Sequence, residues 1–545
     1  MKRTTQYINK KSRLIKTPEI DSTSNNQLAA FDPVSIRKKL PELLKTENDF
    51  FPCFDWTFPP PLLNKSEPPE TADVLFSKPS VTADHYSIYL HSPFCKSLCS
   101  FCYYSVMPGR GIDQSETYVE YLIREMSLYA DTFKGKICES VYFGGGTPSH
   151  LDDELLVKIF EAINKHFTLS NHAEVTIEAA PGTLPESKTL LLKSLGVNRL
   201  SYGIQTLDEN LLSEMNRDYS VEEAKTELRH AIDIIGNVNV DTMYGFDGED
   251  ENTLINTLNQ FHEIGVPSFS IYSLDKQRSG DEILFEPPKD NKFENKIKMF
   301  AKAENHLMKL GYKPILQNIF IDPNRASYKH QIQRWNNLPL VALGINAQGY
   351  APQTPYNNAS SLKSYYQLID AEKLPLTTID ELDPELELCR ELTSKLRFTY
   401  VSINEFKYKY GVNIGEVFKD LIEALQDLEY LELKHDILRM TDKAAYYNNI
   451  IPMLFAPDKF KSKLMGLPNE YLETFPVPFI MTQLGSTQSQ PFNIIQSRED
   501  INTDRRINTN RRKTTLKKPD NARGDGDGRR STDGIWNWSA TSVEA

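Results

Sequence analysis

Between residues 85 and about 350 the chain alternates short β-prone runs with amphipathic stretches. Branched and aromatic residues concentrate at Tyr86–Leu90, Ser140–Phe143, Glu174–Ala179, Asn198–Ile204, Asn237–Met243 and Ser268–Tyr272, which predicts six strands. Between them, Glu116–Ala130, Asp153–Phe167, Glu222–Ile235 and Glu251–Ile264 repeat apolar residues at helical spacing, which predicts helices with one buried face. A helix between successive strands of one sheet implies parallel pairing with right-handed crossovers. Six such units are too few for a complete eight-unit barrel.

The texture changes on either side. Residues 351–455 carry helical patterns at Glu385–Leu396 and Val417–Leu428, then short strand-like runs at Tyr430–Leu433 and Ile437–Met440. Acidic residues are frequent there and no basic recognition helix is present, so structural cover for the preceding unit is favoured over DNA reading. Residues 1–84 are polar and then proline-rich, an irregular arm with local helix near Asp32–Leu44 and with Phe54, Trp56 and Phe58 available for docking. Residues 456–545 form an extension. From about 490 its composition collapses into Asn, Thr, Arg, Lys, Asp and Gly, that of a disordered tail. The Arg511–Lys513 cluster reads as a solvated charge run.

A chain of 545 residues holds two or three domains, and 39% hydrophobic residues suffice for sizeable cores. The net charge of −12 argues against nucleic acid or an anionic membrane as partner. No segment is apolar enough to span a bilayer, and the basic N-terminus lacks the apolar core of a secretory signal. Six cysteines in so long a chain are no disulfide scaffold, so a reduced, cytoplasmic setting is expected.

Half of those cysteines fall within eight residues, in Cys95-Lys-Ser-Leu-Cys99-Ser-Phe-Cys102, on the loop leaving the first predicted strand. Iron–sulfur cubes are usually closed by four cysteines. Three on one loop leave one iron open to bind something else. The alternative is a structural zinc held by Cys95, Cys99, Cys102 and either His91 or Cys138, although zinc ligands normally come as two short pairs. Cys53, Cys138 and Cys389 belong to no motif and read as small buried hydrophobes. Other chemistry-bearing residues end later strands, where the working face of such a barrel lies. These are Gly144, Gly145, Gly146 and Thr147, then Glu178, Gln205, Arg217 just beyond, and Asp241. Glycines there let backbone approach a ligand closely. A buried carboxylate such as Glu178 calls for a cationic or hydrogen-bonding partner, and Arg217 offers a fork suited to a carboxylate.

Read with its lead-in, Tyr89-Leu-His91-Ser-Pro-Phe-Cys95, the cysteine run resembles the radical S-adenosylmethionine (SAM) superfamily, in the branch of oxygen-independent coproporphyrinogen III oxidases. The resemblance spans roughly residues 85 to 455. It implies an α/β fold: a partial (β/α)6 barrel at 85–350 and a small, mainly helical, winged-helix-like domain at 351–455. It also implies a [4Fe-4S] cluster on Cys95, Cys99 and Cys102 and one SAM, or two, cleaved by one electron to methionine and a 5′-deoxyadenosyl radical. By the same resemblance Gly145, Gly146 and Thr147 contact the methionine end of SAM. Phe101, Glu178, Gln205, Arg217 and Asp241 complete its site, and Tyr89 and His91 lie near SAM and the cluster as candidate catalytic residues. His330–Trp335 and Leu343–Gly349 are similar to further family elements. Implied partners are a small substrate, a porphyrinogen or another unsaturated or aromatic compound, and a flavodoxin- or ferredoxin-type electron donor.

The chain departs from the family at Ser92, at Tyr103-Tyr104 after the cluster, at Phe246-Asp247-Gly248, and at Asn346-Ala-Gln348. Those positions bear on the substrate. Three activities follow as expectations: oxidative decarboxylation of porphyrinogen propionates or a related reaction, methylation of an sp2 carbon by a class C methyltransferase using two SAM molecules, and non-catalytic haem chaperoning. Glu178-Ala-Ala-Pro-Gly182 resembles the chaperone branch.

Overall fold

In the computed structural model the described residues are most of 65–455 and part of 37–41. The six predicted strands are present as β1 (His85–Ser92), β2 (Ile137–Gly145), β3 (Leu169–Ala179), β4 (Arg199–Gln205), β5 (Val238–Tyr244) and β6 (Ser268–Ser273). They pair in chain order and all in parallel. The helices α1 (Ile112–Tyr129), α2 (Asp153–His166), α3 (Glu186–Ser194), α4 (Val221–Ile235) and α5 (Glu251–Ile264) connect them. Local chemistry fixes several starts. Ser220 and Glu223 form a reciprocal capping box on α4, and the Asp250 side chain accepts from Asn252 and Thr253 at the head of α5.

Period-2 alternation divides the strands into two unlike faces. Outward-facing Ile88, Leu90, Val141, Phe143, Ile177, Leu200, Val240 and Phe269 are buried in one cluster with the helices. Each such side chain contributes about 1.5–3 kcal/mol of burial free energy. The other face is polar: Ser87, Tyr89 and His91 on β1, Ser140 and Tyr142 on β2, Glu174, Thr176 and Glu178 on β3, Arg199 and Ser201 on β4, Asn239 and Asp241 on β5. This face lines the interior of a partial barrel. Several of its polar groups bond one another there, as where the Asn239 amide donates to Asp241 (2.7 Å) and to Ser270 Oγ (2.9 Å).

Beyond β6 come α6 (Lys292–Lys309), β7 (Lys313–Leu316) and β8 (Ile319–Ile321), with β8 antiparallel to β6. The chain then crosses from that edge back to β1 through α7 (Lys329–Trp335) and enters β9 (Leu340–Leu343), parallel to β1. The crossing segment is pinned from inside the barrel. The Glu174 carboxylate accepts from the backbone N–H groups of Lys329 (2.7 Å) and His330 (2.9 Å), the unsatisfied donors of the α7 start. Arg199, 1% exposed, lays its guanidinium 3.7 Å from the Tyr328 ring centroid.

A β-meander follows: β10 (Gln348–Ala351), β11 (Thr354–Asn358), α8 (Leu362–Asp370) and β12 (Leu376–Asp380). These strands extend the barrel sheet, and the short strand Lys65–Ser66 pairs with β12 at its edge. Sequence reading placed a boundary at 350 and an arm at 1–84. The sheet runs on to Asp380, and residues 65–75 belong to it or pack beneath it, with Ala72 and Leu75 buried. Strands of Gln, Tyr, Thr and Asn lack the aliphatic signal that marks β1–β6, which is why the pattern broke early.

From α9 (Pro384–Arg397) onward a second core forms around Leu388, Cys389, Leu392, Phe406, Leu425 and Leu438. Helices Ile403–Tyr410 and Lys419–Asp427 pack on a three-stranded antiparallel sheet of Tyr400–Ser402, Leu431–Lys434 and Ile437–Met440. That is a winged-helix layout. Leu40, from the expected helix at Asp32–Leu44, is buried in this core, and Arg37 pairs with Asp427 at 2.8 Å. The aromatic residues Phe54, Trp56 and Phe58 and the extension 456–545 lie outside the described residues. No described helix is long and apolar enough to cross a membrane.

Candidate active site

The loop after β1 bends back on itself. Met107 N donates to Pro93 O (2.6 Å) and Gly109 N to Cys95 O (3.1 Å). It is also tied to the segment after β4, where Ser100 N donates to Met215 O (3.1 Å) and Asn216 Nδ2 to Leu98 O (2.7 Å). Cys95, Cys99 and Cys102 are therefore held on a braced loop at the carboxyl end of the barrel, all partly exposed. The Cys95 thiol is pushed up to about 12 by burial and by the neighbouring Cys102 thiol, against a bond from Thr147 Oγ1 at 3.7 Å. Arg217 reaches the same spot. Its guanidinium is 5.4 Å from the Phe101 ring centroid and 6.0 Å from that of Tyr219, and it interacts with all three thiols.

The glycine run ending β2 lies against this loop. Gly146 N donates to Ser92 O (2.6 Å) and Thr147 N to Phe94 O (2.8 Å). Gly145 has φ +113°, and a Cβ there would stand 2.5 Å from the His91 ring. The His91 imidazole packs on Gly145 and lies 3.2 Å, through Nδ1, from Tyr89 Oη, while its carbonyl accepts from Tyr118 Oη (2.7 Å). Glu178 takes one bond on each carboxylate oxygen, from Tyr142 Oη (2.9 Å) and from Gly145 N (2.9 Å).

Gln205 ends β4 at φ +75°, an uncommon conformation for a side chain of that size. Its amide and the Arg217 guanidinium both flank Gly203, lying 3.1 and 3.9 Å from where a Cβ would be. Asp241 pairs in register with Gly203, one strand across. It accepts from Asn239 and from Ser201 Oγ (3.3 Å). Burial pushes its carboxyl up to about 7, although the Arg199 charge and the bonds from Ser201, Ser270 and Asn239 pull it down. Tyr89, His91, Phe101, Gly145, Gly146, Thr147, Glu178, Gln205, Arg217 and Asp241 thus gather at one barrel mouth with the three cysteines.

Two expectations fare differently. His330 points into the barrel interior below the mouth, with Nδ1 2.9 Å from Ser140 Oγ and its ring 5.1 Å from that of Tyr142. Cys138 begins β2, at the opposite end of the strand from the cysteine loop, and is wholly buried, so it cannot be a fourth ligand. Asp247 and Tyr103 lie outside the described residues, and Gln348 is buried at the start of β10.

Comparison with known proteins shows what the chain is similar to. The model of the radical SAM superfamily matches residues 89–261, the interval from Tyr89 through β1–β5 to α5. The heme chaperone HemW of Bacillus subtilis is 27% identical over 378 residues, covering 67% of this chain and 97% of that protein. The oxygen-independent coproporphyrinogen III oxidase of Synechocystis is 24% identical over 425 residues, covering 74% and 90%. The coproporphyrinogen III oxidase HemN of Escherichia coli shares the fold, with TM-score 0.64 and 20% identity over 74% of this chain and 99% of that one.

Residues 89–261 thus match the radical SAM superfamily, and the chain is similar to the HemN-like proteins of that superfamily. Its cofactors are a [4Fe-4S] cluster and SAM, and the residues present fit both. Among the described residues no three His, Cys, Asp or Glu side chains converge as the ligands of a single ion. A cube needs something different, since its thiolates bind separate irons. The loop offers three thiols, of which Cys95 is raised by burial and by the neighbouring Cys102, a state relieved by bonding to iron. Beside it stand the cation of Arg217 and the clamped carboxylate of Glu178, complementary to the carboxylate and ammonium of an amino acid.

Sequence reading missed Tyr142, Tyr118, Ser100 and Asn216, which position the named residues. Tyr142 alone carried a signal: it precedes Gly144 by two and so shares the inner face.

Proposed function

We propose that the mouth residues bind SAM over the cluster loop and that the protein uses the resulting radical to abstract hydrogen from an organic substrate of the porphyrinogen class or a related unsaturated compound. The observation that carries this reading is the convergence of Cys95, Cys99 and Cys102 with Arg217 and Glu178 at one barrel mouth. A cluster held by three thiolates supplies an electron and an open iron for SAM. In this reading Arg217 pairs the SAM carboxylate, Glu178 and the Gly145–Thr147 backbone hold the ammonium end, Gln205 flanks them, and Asp241 accepts from ribose hydroxyls. Tyr89 and His91 stand between the cluster loop and the glycine run, placed to order the substrate side. A flavodoxin- or ferredoxin-type protein is the proposed electron donor.

A second reading, haem chaperoning, is favoured by the several relatives named heme chaperone HemW. One experiment separates the readings. Under anaerobic, reducing conditions the protein is given SAM with porphyrinogens or with unsaturated and heteroaromatic acceptors. Substrate-accelerated 5′-deoxyadenosine with CO2 released from a propionate is the expected result. S-adenosylhomocysteine with a methylated product instead indicates a methyltransferase. Stoichiometric haem binding with adenosyl products at background sinks the enzymatic reading.

Asp241 makes the SAM contact pH-dependent. Its carboxyl is neutral below about 7, and an ionised acceptor forms the stronger hydrogen bond. The charged and polar groups facing it are Arg199 and Ser201 from β4, Asn239 on its own strand and Ser270 from β6. SAM affinity is expected to rise about fivefold between about pH 6 and 8. Asp241→Asn flattens this profile, and a profile left unchanged by the substitution removes Asp241 from the site.

A further inference from the structure

We infer that Tyr142 is a positioning residue for Glu178: its hydroxyl sets the orientation in which that carboxylate meets the charged end of SAM. The inference rests on the SAM-binding reading of Glu178 given above. Tyr142 is fully buried on the inner face of β2, one turn of the pleat before Gly144. Its ring is held on both sides. It stacks on Tyr89 at 6.1 Å with 20° between planes, lies tilted by 32° against His330 at 5.1 Å, and packs with Ile319, Tyr328 and Trp335 of the segment that closes the barrel. The hydroxyl at the end of this fixed ring donates to Glu178 Oε1 at 2.9 Å.

The other oxygen, Oε2, is held by Gly145 N at 2.9 Å. One donor alone lets a carboxylate swing about its last torsion, which is broad for Glu. Two donors, one from a packed ring and one from backbone, fix the plane of the group. Space enforces the arrangement as well. A Cβ on Gly144 would stand 3.0 Å from Glu178 Oε1, from the Tyr142 ring and from the Tyr89 ring alike, so the three side chains meet where the strand carries none. In this reading Tyr142 makes no bond to SAM. It acts through Glu178.

The test is a double-mutant cycle read by equilibrium SAM binding to the cluster-loaded protein, with iron content and SAM-free thermal unfolding as controls. Tyr142→Phe keeps the ring, its stacks and its packing while deleting the donor. SAM binding is expected to weaken about tenfold, the size of one hydrogen bond to a charged group. Iron content stays at the parent level. Glu178→Ala is expected to weaken binding at least as much, and adding Tyr142→Phe to it costs nothing further, because the effect passes through the missing carboxylate. Full additivity in the double variant, or a Tyr142→Phe protein that binds SAM like the parent while Glu178→Ala does not, overturns the inference. Parental binding by Glu178→Ala overturns instead the reading on which it rests.

Discussion

Alanine at Cys95, Cys99 or Cys102 is expected to remove most of the bound iron and all SAM cleavage while leaving the barrel folded. Each thiolate would hold its own corner of the cube, so losing one would leave two open irons and a cluster prone to loss. The loop itself is held by other means. Backbone bonds from Met107 to Pro93, Gly109 to Cys95 and Ser100 to Met215, and the Asn216 amide on Leu98, persist without the thiols. The cysteines are partly exposed, so truncation opens no core cavity. The measurement is iron and sulfide content beside far-ultraviolet circular dichroism for each single variant and the triple. A triple variant that reconstitutes a normal cluster, or a parent protein that carries only zinc, defeats the assignment.

The second large effect is expected from Gly146→Ala. A Cβ at Gly146 would lie 2.6 Å from Phe94 O, 2.9 Å from the Pro93 carbonyl carbon and 2.9 Å from Ser92 O. Those are backbone atoms, with no side-chain rotamer to yield. Relief requires the glycine loop to withdraw from the strand leading into the cysteine loop, breaking the Gly146–Ser92 and Thr147–Phe94 bonds. Overpacking of this kind costs about 1–3 kcal/mol, and here it falls between the two proposed cofactor-binding loops. SAM binding should drop at least tenfold, with a lowered melting temperature and partial loss of iron. Parental SAM affinity and stability would show that the loops can separate without consequence.

Much of this was legible in the sequence because it is local. The cysteine spacing lies within one loop, and β1–β6 each carry aliphatic residues on the outward face. The strand-end motifs Gly145–Thr147, Glu178, Gln205 and Asp241 are read from their place at strand ends together with the family resemblance. What stayed hidden is the non-local inner face. Arg199 and Tyr328 meet across 129 positions, and Glu174 caps a helix that begins 155 positions later. A polar residue alternating with aliphatics ordinarily marks a solvent face. In this barrel it marks the interior, so Tyr142 and Arg199 read as surface until the sheet curls. The β10–β12 meander was missed for a related reason, since Gln348, Asn357 and Asn358 are buried although their residue types seldom are.

The conformation of Gln205 has a cost that the protein carries in every molecule, bound or free. A left-handed residue with a long side chain pays about 1 kcal/mol that glycine would not. At the end of β4 the backbone turn alone would be better served by glycine, and many strand ends use one. The glutamine persists at 8% exposure, with its amide beside Arg217. This makes residue 205 a position where selection for stability and selection for function point to different amino acids. A stabilised version of this protein drawn up from backbone geometry alone would choose glycine here, and would discard one of the side chains gathered at the mouth.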